Sequence, residues 1–175
     1  MSVSNRFMVV DWAVFSTEYE KHGESSFLLE LIHELDDYPN SETIKNDWFE
    51  YLQLDSVIEN AAYTGMMYEQ VEEAKNSVST EQYQLLCDVV GILNVDLTDP
   101  YNDINKNESE VWLYSSYKPN AVSDSYSKIV ALSSVVGALE LKQELKDSFT
   151  NYTKDLKEVF SKAVNSNNGI LIAIG

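Results

Sequence analysis

Five apolar residues in a row, Ile170-Leu-Ile-Ala-Ile174, follow the helix-stopping run Asn165-Ser-Asn-Asn-Gly169. A short apolar run bounded by a turn signal, with no polar alternation, reads as a β-strand buried on both faces. Such a strand demands sheet partners at its sides and a layer packed over it. Partners are predicted at 6–14, within the β-branched and aromatic stretch Arg6 to Phe15, and at 110–115, where Glu110-Val-Trp-Leu-Tyr114 is closed by Lys118-Pro119. The covering layer is helical. Phe149, Tyr152, Leu156, Val159, Phe160 and Ala163 share one side of a helix over about 145–164. Ile129, Leu132, Val135, Val136 and Leu139 do the same in another, which Ser123 is placed to cap.

The remaining segments read mostly as helix. Ser79-Thr-Glu-Gln82 has the spacing of a capping box and is followed by Tyr83, Leu86, Val89, Val90 and Leu93 at helical intervals. Ser16 or Thr17 is expected to cap a short helical turn. Phe27, Leu28, Leu31, Ile32 and Leu35 form a stripe that Pro39 ends, and Ile44, Trp48, Tyr51 and Leu52 form the next. A further helix is expected from Val57 towards Lys75, weakened by Gly65, and Gly169 is assigned the left-handed residue of the last helix stop. Asn94 to Glu108 is the longest loop. The expected fold is therefore α+β: a mostly helical single domain over 1–175, with a small sheet of about three strands involving both chain ends.

With 175 residues and 44% hydrophobic content, the chain has enough apolar surface for one real core. No stretch approaches ~18 consecutive apolar residues, so no membrane span is expected. The N-terminal apolar run stops at Asp11 and lacks the form of a secretory signal. A single cysteine, Cys87, excludes an internal disulfide framework and fits a reducing compartment, so a cytoplasmic location is expected.

Charge is where this sequence is least ordinary. The formal net charge is −17, and the first 100 residues hold 20 of the 29 carboxylates against Arg6, Lys21, Lys45 and Lys75. Nearly all the excess belongs to that stretch. Such a field repels nucleic acid and anionic lipid and attracts basic surfaces, while its self-repulsion costs stability. The plain alternative is a solvated acidic surface without a dedicated partner. Between Lys142 and Lys162 the lysines alternate with carboxylates, which reads as an exposed helix face supported by ion pairs.

Catalytic and metal-binding patterns are missing. His33-Glu34 begins like a zinc-protease helix, but Asp37 stands where the second histidine is needed. His22 and His33 are read as structural or surface residues, and Cys87, on an apolar helix face, as core packing. Counting a calcium loop from Asp103 puts Glu108 at the glycine position and Tyr114 at the final glutamate position, so the EF-hand pattern fails. No glycine-rich phosphate loop occurs. No enzyme activity, cofactor or metal is expected. With one arginine and no clustered lysines, direct nucleic-acid binding is opposed as well.

The surviving feature is a set of acidic helices that carry aromatics. Glu34, Asp36, Asp37, Glu42, Asp47, Glu50, Asp55, Glu59, Glu69, Glu72 and Glu73 surround Tyr38, Phe49 and Tyr68, the aromatics best placed for exposure. Carboxylates around a few exposed aromatics suit the docking of a basic protein, since aromatics anchor a contact and charge speeds and orients the encounter.

From about Val111 onward the order of features resembles the YfbM-like family of small bacterial proteins. The likeness lies in the Val-Trp-Leu-Tyr strand, the helix containing Val122 and Ile129-Val-Ala-Leu132, the helix from Tyr152 to Ala163, and the closing Asn168-Gly169-Ile-Leu-Ile-Ala-Ile174. It implies a fold more than a function. The whole profile (small, acidic, without catalytic residues) is similar to that of bacterial immunity proteins, including those of contact-dependent growth inhibition. The expectation is an immunity-type inhibitor that neutralises a basic toxin domain, a nuclease being one such domain. The rival from another class is a nucleic-acid mimic that blocks a DNA-binding or restriction protein; an enzyme using carboxylates is the third. The sequence leaves the oligomeric state open.

Overall fold

The computed structural model describes residues 5–22, 57–60, 64–93 and 113–174. Among them the chain is mostly helical and carries a small antiparallel sheet. Four strands take part: β1 (Asn5–Val10), β2 (Val57–Asn60), β3 (Leu113–Tyr117) and β4 (Gly169–Ile174), in the spatial order β2-β1-β4-β3. The helices are α1 (Trp12–His22), α2 (Thr64–Ala74), α3 (Thr80–Val90), α4 (Pro119–Val135) and α5 (Gln143–Ser166), with 3-10 turns at Gly91–Leu93 and Val136–Ala138.

The sheet contains a strand beyond the three expected, β2, which lies at its edge beside β1. Val57-Ile58, read as the start of a helix, pairs with Met8 and Phe7 of β1, and the helix begins only at Thr64. A four-residue segment has no room to show a period, so β-branched side chains beside an available strand decide its state. The first strand is also shorter than 6–14. At Asp11 the chain turns into a helix, because the Asp11 carboxylate accepts the backbone N–H groups of Ala13 and Val14 at 3.0 and 3.1 Å. Ser16 and Thr17, expected to cap, instead donate to the Ala13 carbonyl. The third strand runs on to Tyr117, and its helix starts at Pro119 rather than after Ser123, proline being well suited to a first turn. The expected helices near 27–35 and 40–52 and the loop at 94–108 lie outside the described residues.

The sheet is buried on two sides at its centre. Phe7 pairs with Ile172 and Val9 with Ile170, and all four side chains enter one large apolar cluster with the helices. On the opposite face Val10 and Leu171 are buried too, and Trp12 of α1 lies against Gly169. Over the first face, α5 contributes Leu145, Phe149, Tyr152, Leu156, Val159, Phe160 and Ala163, spaced by three or four residues. From α4 come Val122, Ile129 and Leu132, from α3 Leu86, Val89 and Val90, and from α2 Val71 and Ala74. Cys87 is half-buried and packs against this cluster.

Two helix ends show how local chemistry sets the boundaries. Ser79 accepts the Gln82 N–H at 3.2 Å, and Gln82 Oε1 accepts the Ser79 N–H at 2.9 Å, closing the capping box at the start of α3. Ser79→Ala is expected to cost about 1 kcal/mol, read as a shift of the urea midpoint at unchanged slope. At the end of α5 the left-handed residue is Asn167 (φ 54°, ψ 38°), not Gly169 as expected. Asparagine tolerates this conformation, and the Asn168 N–H closes the helix on the Ala163 carbonyl at 2.8 Å. Gly169 is needed for a different reason: Trp12 and the Tyr117 carbonyl occupy the space a side chain would take.

Candidate docking surface

Three of the acidic residues expected to bind a partner, Glu69, Glu72 and Glu73, stand exposed on α2. Their spacing of three and four residues places them on one helix flank. Tyr68 belongs to the same helix, and Glu59 to β2 opposite Arg6 in the register. Glu34, Asp36, Asp37, Tyr38, Glu42, Asp47, Phe49, Glu50 and Asp55 lie outside the described residues.

The turn between α2 and α3 brings Glu72 against a residue the sequence pattern assigned only to helix packing. Tyr83 Oη donates to Glu72 Oε1 at 2.5 Å, and Lys75 Nζ sits 3.4 Å from Glu72 Oε2. The same ammonium lies 5.5 Å from the centre of the Tyr83 ring, within cation–π range. Both Glu72 oxygens are thus engaged, which orients the carboxylate and balances part of its charge locally. The Tyr83 hydrogen bond, and then Lys75, hold Glu72 below the usual carboxylate range. The reciprocal effect pushes the Tyr83 phenol above the ordinary tyrosine range, chiefly through its bond to Glu72.

Lysines from the second half of the chain reach this acidic region. Lys142, just before α5, pairs with Glu73 at 3.4 Å, both side chains being more than half exposed. Lys128 of α4 pairs with Asp88 of α3 at 2.9 Å. Asp88 also accepts from Gln84 Nε2 at 2.7 Å. Exposed pairs of this kind contribute little, about 0–1 kcal/mol, and are open to exchange with external cations.

Lys128, and then Gln84, lower the Asp88 pKa. A carboxylate depressed in the folded state stabilises the protein above its unfolded pKa, and that contribution is lost as pH falls through the folded value. Lys128→Met is therefore expected to be less stable than the parent by a constant margin above the aspartate range. The margin should vanish below it. Urea midpoints measured from pH 7 to pH 2 check this, and a margin independent of pH would rule the ion pair out as its source.

The described residues contain no group of three or more His, Cys, Asp or Glu placed to hold a metal ion. Likewise, no described helix is long and apolar enough to cross a membrane. Comparison with protein families, with curated proteins and with solved structures finds no match to this chain. The likeness to the YfbM-like family therefore rests on the residues quoted for it alone.

Proposed function

We propose that the protein is an immunity-type inhibitor that binds a basic bacterial toxin domain in the cytoplasm and covers the surface that domain needs for its activity. The observation that carries this reading is the lopsided charge, 20 carboxylates against four cations in the first 100 residues. Glu69, Glu72 and Glu73 belong to that excess and stand exposed along one flank of α2. A toxin that acts on nucleic acid presents a cationic groove, and an anionic face seated there excludes the substrate. Tight binding further requires an apolar or aromatic anchor within the charged ring, since charge and area alone do not set affinity. The YfbM-like order of features in the C-terminal third concerns the scaffold behind this face, not its partner.

The intramolecular lysines refine the proposal. Lys142 competes with any external cation for Glu73, and Lys75 competes for Glu72. Reversing Glu69, Glu72 and Glu73 to lysine is expected to slow association with a purified cognate toxin domain by about tenfold to a hundredfold and to flatten its salt dependence. Lys142→Ala should act in the opposite direction and raise the on-rate severalfold. Stopped-flow association at low and high salt measures both. On-rates unchanged in the triple reversal would remove α2 from the interface.

A further inference from the structure

We draw no further inference here: the strongest candidate, the uncharged stripe of small residues along the outer face of α4 formed by Ser123, Ser127, Ala131 and Ser134, carries nothing because no feature of the structure shows what covers it.

Discussion

Phe160→Ala is expected to lower the unfolding free energy by about 3–5 kcal/mol, the usual range for emptying a large aromatic site in a core. The side chain is fully buried, and its ring meets Tyr117 edge-on with centroids 6.2 Å apart. Tyr117 in turn donates its hydroxyl to the Ile92 carbonyl at 2.7 Å. The ring of Phe160 thus supports the contact through which α5, β3 and the turn after α3 are held together. Against a total stability of roughly 5–15 kcal/mol, that loss leaves a marginal protein. Chemical denaturation followed by far-ultraviolet circular dichroism gives the value. Val130→Ala, on the exposed side of α4, serves as the reference and should change stability by no more than about 0.5 kcal/mol. A cost below about 1 kcal/mol for Phe160→Ala would mean that the neighbouring helices close the space at once.

Gly169→Ala should be nearly as damaging, at about 3 kcal/mol, although it adds a single methyl group. A Cβ at this position would lie 2.3 Å from Trp12 Cε3 and 2.9 Å from the Tyr117 carbonyl oxygen. Neither neighbour yields easily. Trp12 packs on Phe15 with ring centroids 5.3 Å apart, and the Tyr117 carbonyl is backbone of the adjoining strand. Gly137 provides the contrast, because a Cβ there meets nothing within 4 Å. Gly137→Ala is therefore expected to be neutral, or to stabilise by about 0.4–1 kcal/mol through the unfolded chain. Equal effects of the two substitutions would contradict the close approach of α1 to the sheet.

What the sequence revealed, and what it hid, follows from how far each feature reaches along the chain. The capping box at Ser79 needs only four consecutive residues and is legible as written. The stripe of α5 repeats over 24 residues, long enough for its period to be unmistakable. By contrast, the β-rich texture of Val9-Val-Asp-Trp-Ala-Val-Phe15 continues straight through the turn at Asp11, so one capping carboxylate overrides the pattern of its neighbours. The short β2 depends wholly on the presence of β1. At the candidate surface, the common flank of Glu69, Glu72 and Glu73 is a local matter of helical spacing. The partnership of Glu72 with Tyr83 depends on the turn between two helices. That of Glu73 with Lys142 joins positions 69 residues apart, beyond the reach of any local rule.

The order β2-β1-β4-β3 also bears on how this molecule comes into being. On the ribosome, β4 is made after every other described element, yet it is the strand that pairs with β1 along one edge and with β3 along the other. Until it emerges, Phe7, Val9 and Val10 have no permanent shelter, and closing so long a loop makes the final pairing slow. A nascent chain therefore carries a half-built apolar seam from the time β1 is made until β4 emerges.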